Sequence, residues 1–202
     1  MSEIQAVIFD VGRVIVQWDL RCLFGKLIAD ERELEWFVSH VVTEEWHFQH
    51  DAGRDLAEMV AERKARFPDY RHLIDAYATR FCETIPGLVE GTPVLIERLA
   101  ERGVPLFALT NFAAPFWAAY HPSEPVFGHF RDVVVSGVEK VAKPDPAIYE
   151  IAERRFGHPG SELLFIDDNP ANIAAAQARG WHGHLFADAG ALEADLAARG
   201  LI

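Results

Sequence analysis

Four short segments of this 202-residue chain carry side chains that could do chemistry together: Asp10, Thr110-Asn111, Lys143 and Asp167-Asp168. A carboxylate held at a fixed point can attack an electrophile and form a covalent ester or acyl phosphate. Adjacent acids repel unless a cation or a helix N-terminus offsets them, and Mg²⁺ takes a few carboxylates along with waters and phosphate oxygens. Asp10 with Asp168, and Asp167 through a water, suit such an ion. Thr110 and Asn111 offer a hydroxyl and an amide to phosphate oxygens, and Lys143, fixed ahead of Pro144, offers a directed ammonium. Singly, each has an ordinary reading: a turn Asp, a helix cap, a turn, a surface lysine. Their order and setting make the set hard to explain as packing.

The setting is a series of buried strands. Asp10, Thr110 and Asp167 each follow an apolar run, at 6–9, 104–109 and 163–166, and Lys143 comes a short loop after Val133-Val134-Val135. Open α/β sheets place their ligand crevice at the carboxyl ends of parallel strands. Strand-like runs alternate with helical segments. Thr92-Pro93, Asp145-Pro146 and Asn169-Pro170 each read as a helix cap followed by proline at the first helical position. Together they predict an α/β fold, a Rossmann-like three-layer parallel sheet. A last strand is expected near 183–186, then a terminal helix through Ala198. Val14-Ile15-Val16, after Gly12-Arg13, reads as a tight turn or small hairpin.

From about Asp19 to Ile85 the pattern changes. Apolar residues at three- and four-residue spacing mark helices near 20–29, 32–41, 56–67 and 70–84, broken at His50–Gly53 and at Pro68-Asp69. The expected organisation is a core of residues 1–16 and 86–202, with an inserted helical cap at 17–85. Its aromatics (Trp36, Phe37, Trp46, Phe48) read as the cap's own core, with Trp46 and Phe48 the candidates for lining a pocket. Trp117 and Tyr120-His121 are candidates for its edge.

Half of the residues are hydrophobic and the net charge is −12, so a sizeable core can form. No basic stripe appears, which argues against nucleic acid and against an anionic membrane surface. An anionic substrate then needs local neutralisation by a metal, by Lys143 or by backbone N–H groups. Cys22 and Cys82 lack metal-ligand spacing and read as buried thiols in a reducing compartment. Met1–Ile4 has no positive leader, and no apolar run approaches a membrane span. A cytoplasmic location is expected; monomer and homodimer both stay open.

Phe9-Asp10-Val11-Gly12, Leu109-Thr110-Asn111, Lys143-Pro144-Asp145-Pro146 and Phe165–Asn169 resemble motifs I to IV of the haloacid dehalogenase (HAD) superfamily in order, spacing and strand context. Within it the chain is most similar to phosphatases with Asp-x-Gly-x in motif I, a branch that includes bacterial α-glucose-1-phosphatases. The resemblance implies a Mg²⁺-dependent phosphatase acting on a small phosphomonoester, a sugar phosphate among the candidates. Asp10 would be the nucleophile and carry an aspartyl phosphate. Asp10, the Gly12 carbonyl and Asp168 would hold Mg²⁺, with Asp167 in support. Lys143 and Thr110-Asn111 would orient the phosphoryl oxygens.

One departure matters. Phosphatases of this superfamily usually place a second Asp, the general acid, where this chain has Gly12. A good leaving group, a proton from His47 or His50, or weak catalysis would each account for it. Two alternatives follow: a hydrolytic 2-haloacid dehalogenase, which needs no metal and uses a cap Arg (Arg21, Arg32 and Arg54 are available), and a weakly active or non-catalytic phosphate-ligand-binding protein.

Overall fold

A computed structural model describes residues 4–202. The first three residues, assigned above to the core and read for a leader, lie outside the described residues. Strand β1 (Ala6–Phe9) leads through a tight loop into five helices: α1 (Arg21–Phe24), α2 (Glu31–His40), α3 (Glu44–Asp51), α4 (Leu56–Arg66) and α5 (Arg71–Arg80). Then come α6 (Thr92–Glu101), β2 (Leu106–Thr110), α7 (Ala114–Tyr120), β3 (Asp132–Val135), α8 (Ser136–Glu139) and α9 (Pro146–Phe156). The chain continues with β4 (Leu163–Asp167), α10 (Pro170–Ala178), β5 (His182–Leu185) and α11 (Ala189–Ala198).

The five strands form one parallel sheet in the order β3-β2-β1-β4-β5. Val7 lies opposite both Leu106 and Leu164. Strands β1, β2 and β4 are buried at every residue, because helices cover both faces of the sheet. Alternation along each strand sorts the side chains into two cores. Val7, Phe9, Leu106, Ala108, Leu164 and Ile166 face α6 and α11, in an apolar cluster that runs on into Phe24, Phe37, Tyr77 and Phe81 of the helical block. Ala6, Ile8, Phe107, Leu109 and Phe165 face Ile148 and Tyr149 of α9 and Ile173 and Ala176 of α10. β1 pairs with β2 on one side and β4 on the other, so strand order reverses at β1. The crevice of such a sheet opens at that reversal.

The tight turn expected after Gly12-Arg13 is present: Arg13 takes φ 61°, and the amides of Ile15 and Val16 both donate to the Val11 carbonyl, at 2.9 and 3.0 Å. Other local expectations change. Gly91, not Thr92, caps α6, and the buried Thr92 hydroxyl has no partner. The helix expected at 20–29 shrinks to the four residues of α1. Helix α3 escapes apolar spacing because three of its four buried residues, His47, His50 and Asp51 beside Trp46, are polar. Cys22 is half-buried and Cys82 exposed, rather than both being buried. Among the described residues no helix is long and apolar enough to cross a membrane.

Candidate active site

Asp10 sits one residue beyond β1, its amide still donating to the Ile166 carbonyl of β4 at 2.8 Å. Its Oδ1 accepts the Val11 amide at 2.7 Å and lies 2.8 Å from Lys143 Nζ. Its Oδ2 accepts no hydrogen bond from the described residues. Lys143 is 1% exposed and reaches Asp167 Oδ2 at 2.7 Å as well as Asp10. Asp167, the last residue of β4, is fully buried. Its oxygens also accept the Asn169 amide at 2.8 Å and the Asn172 side-chain amide at 3.0 Å. One ammonium thus bridges two buried carboxylates, the arrangement in which buried charges are tolerated.

The electrostatics follow from that crowding. Burial first, and then the charges of Asp167 and Asp168, raise the Asp10 carboxyl to about 7 against the pull of Lys143. Burial opposes the charge on Lys143, but the two carboxylates together outweigh it and hold its ammonium above the usual range. Asp168 is also raised, by burial and by Asp167, against the pull of Arg13 and Lys143. Asp10, Asp167 and Asp168 each present an oxygen within 4.8 Å of the others. An all-oxygen donor set with excess negative charge fits a hard divalent cation such as Mg²⁺.

Asn111 and Thr110 follow at the end of β2. Both ends of the Asn111 amide are spent on the main chain of Lys143: Nδ2 donates to its carbonyl at 3.0 Å and Oδ1 accepts its amide at 2.8 Å. Asn111 thereby clamps the lysine loop onto the end of β2, and the second N–H of Nδ2 remains for a ligand in the cavity that Asn111 lines. Thr110 is fully buried, and its hydroxyl has no partner.

Asp10, Gly12, Asn111, Lys143 and Asp168 line one cavity of about 310 Å³, whose far side is built by the helical block. Phe48 lines it, as the sequence suggested. Trp46 is buried among the helices and does not line it, and Trp117 and Tyr120 pack in the core around Phe112 and Phe127. Trp18, Phe81, Phe112 and Arg13 were not singled out in the sequence, yet all line the cavity. So does Asn172; its place at the third position of a helix after an acid pair was the available signal. Of the two candidate proton donors, His50 lines a different hollow. His47 faces the main cavity, but both its ring nitrogens are engaged, by Tyr77 and Asp51. None of Arg21, Arg32 and Arg54 lines the main cavity.

A family model for haloacid dehalogenase-like hydrolases matches residues 4–180. Among curated proteins, a phosphoglycolate phosphatase of Pectobacterium atrosepticum is 31% identical over 125 residues, covering 61% of this chain and 50% of that protein. The chain spans about half the length of the curated relatives it matches. A HAD-like hydrolase from Porphyromonas gingivalis superposes with TM-score 0.73 at 19% identity, over 99% of this chain and 98% of that one. A HAD family enzyme of Bacteroides thetaiotaomicron, solved with magnesium and inorganic phosphate, gives TM-score 0.67 at 22% identity, over 92% and 95%. At those identities the two structures speak to the fold alone.

Proposed function

This chain belongs to the haloacid dehalogenase-like hydrolases, and from that premise we propose that it is a Mg²⁺-dependent phosphatase of a small phosphomonoester, working through an aspartyl phosphate. The observation that carries the reading is the convergence of Asp10, Asp167 and Asp168 around Lys143 at the strand tips. Residues 17–85 serve as the cap over a core of 1–16 and 86–202, and the reaction is placed in the cytoplasm.

Asp10 is held by Oδ1 and attacks phosphorus with Oδ2. The P–O bond to the alcohol breaks and the leaving alkoxide takes its proton from solvent water in the open cavity; a second water then attacks phosphorus, the P–Oδ2 bond breaks, and phosphate leaves with the carboxylate restored. Lys143 neutralises the phosphoryl oxygens while keeping Asp10 in register. Asn111, Asp167 and Asn172 position Lys143, and Thr110 and Asn111 would orient the phosphoryl oxygens along with it. Asp10, Asp168 and the Gly12 carbonyl would hold Mg²⁺, with Asp167 in support; the bound ion would offset the charge of the phosphate and of the acids. Positioning and charge stabilisation carry most of phosphoryl-transfer catalysis. The acid trio favours this over the dehalogenase reading, which has no use for a metal site.

Phosphate release from a panel of monoesters, with Mg²⁺ and with EDTA, tests the proposal. Release should need the metal and fall at least about a thousandfold in Asp10→Asn, since removing a catalytic nucleophile leaves only binding and electrostatic contributions. Undiminished release by that variant refutes the assigned nucleophile.

A further inference from the structure

The cap end of the same cavity holds two buried polar atoms with no protein partner. Asp51 closes α3 and is 4% exposed; its Oδ2 lies 3.1 Å from His47 Nε2, and its Oδ1 is unpaired. The indole N–H of Trp18 is likewise buried and unpaired. Both residues line the cavity that Asp10 lines.

Both are held in place through His47. That ring stacks on Trp18 at 4.9 Å and on Phe81 at 5.3 Å, and its Nδ1 lies 2.6 Å from the Tyr77 hydroxyl. Burial keeps the Tyr77 phenol protonated, so it donates to Nδ1 and leaves Nε2–H to donate to the Asp51 carboxylate. The Asp51 main-chain carbonyl accepts the Ser136 hydroxyl of α8 at 2.6 Å, which pins this end of the cap to the core. On the outer side the Arg13 guanidinium lies 4.9 Å from the Trp18 ring centroid and pairs with Glu44.

A carboxylate oxygen accepts only and an indole N–H donates only. Leaving either buried and unmatched costs free energy that a ligand group can recover. An ammonium would satisfy Asp51 and not Trp18. A carboxylate would satisfy Trp18 and be repelled by Asp51. A hydroxyl both donates and accepts, so it can match either atom without the mismatch that an ammonium or a carboxylate brings to one of them. We infer that Asp51 Oδ1 and Trp18 Nε1 form a hydroxyl-binding subsite that selects phosphomonoesters whose alcohol carries a further hydroxyl. This rests on the phosphatase reading for the phosphate end, and it sets the chain apart from relatives named for phosphoglycolate, which carries a carboxylate.

The test compares kcat/KM for hydroxylated esters (glycerol 3-phosphate, ribose 5-phosphate, glucose 1-phosphate) with n-propyl phosphate, phosphoethanolamine and phosphoglycolate. The best hydroxylated ester should exceed n-propyl phosphate by on the order of tenfold or more, as sites built to bond a hydroxyl reject analogues lacking it. That ratio should fall about tenfold, chiefly through KM, in both Asp51→Asn and Trp18→Phe, since each removes one of the two hydrogen bonds. An unchanged ratio in both variants, or a preference for phosphoglycolate or phosphoethanolamine, overturns the inference. Calorimetric binding of the same esters to Asp10→Asn protein reads the subsite without turnover. If wild-type protein releases no phosphate while the binding preference persists, the phosphatase reading falls and the subsite stands; if phosphate is released without the preference, the subsite alone falls.

Discussion

Gly12 is a chemical choice and not a backbone requirement. Its φ lies outside the left-handed region, and a Cβ built there would meet no atom within 4 Å. A side chain at position 12 would enter the open cavity beside Asp10, Arg13 and Asp168. Gly12→Asp should therefore fold and supply the missing proton donor. A well-placed general acid contributes about 10²–10⁴-fold, so turnover of alkyl phosphates should rise within that range, while p-nitrophenyl phosphate, whose leaving group needs no proton, should change little. The dependence of kcat on leaving-group pKa checks this; an unaltered slope would show that proton donation does not limit the reaction. At this scale the sequence marks which residues carry charge and chemistry, but not how their hydrogen bonds are allotted. Asn111 reads as a phosphate donor or an ordinary turn residue, and its two bonds to the main chain of Lys143 appear only in the fold. Trp18 carries no motif, and Asp51 stands out only within the helix-breaking His50–Gly53 stretch; what distinguishes both is an unpaired atom in a folded cavity.

The site is assembled from the ends of elements, and those ends were the more legible part. Asp145 and Asn169 cap α9 and α10 through Oδ1 bonds to Ala147 and Ala171, with proline following each, as the dipeptides announce. The buried strands declare themselves as continuous apolar runs. Helix α3 was not legible by apolar spacing, because its inner face carries His47, His50 and Asp51 beside Trp46; Thr43, whose side chain accepts the Trp46 amide, and the two glutamates after it were the better signal. The first turns of α10 do more than end a strand. Asn172 donates to both oxygens of Asp167 while its own carbonyl accepts the Tyr149 hydroxyl of α9 at 2.9 Å, so two helices and β4 meet behind Lys143. Asn172→Leu keeps the volume and removes the donor. Hydrogen bonds to a charged group are worth about 1.5–3 kcal/mol, so thermal denaturation should show a loss of that order. Turnover should fall with KM little altered, because the displaced group positions the lysine and does not hold the alcohol. A variant as stable and as active as wild type would remove Asn172 from the support of the site.

Seen whole, the molecule carries a net charge of −12 and gathers three of its acids at one point. Lys143 pairs with Asp10 and Asp167, but its single charge cannot balance three acids, so a negative excess remains around Asp10 and Asp168, whose carboxyls are both raised. A divalent cation that binds only the folded state adds stability as RT ln(1 + [L]/Kd), about 2.7 kcal/mol at a hundredfold excess over Kd. For a domain of this size each kcal/mol moves the melting midpoint by about 2–4 °C, so saturating Mg²⁺ should raise it by roughly 5–10 °C. A strongly acidic protein also gains stability from any salt that screens its self-repulsion. The shift must therefore be read against NaCl at matched ionic strength, where only the site-specific part remains. Asp168→Asn separates the two further: it lowers the site's charge and removes a ligand while barely altering the net charge, so the specific shift should shrink to a small fraction while the response to NaCl stays. A Mg²⁺ shift no larger than that of matched NaCl, or one that survives intact in Asp168→Asn, would mean that the acids at the strand tips serve Lys143 alone and hold no cation.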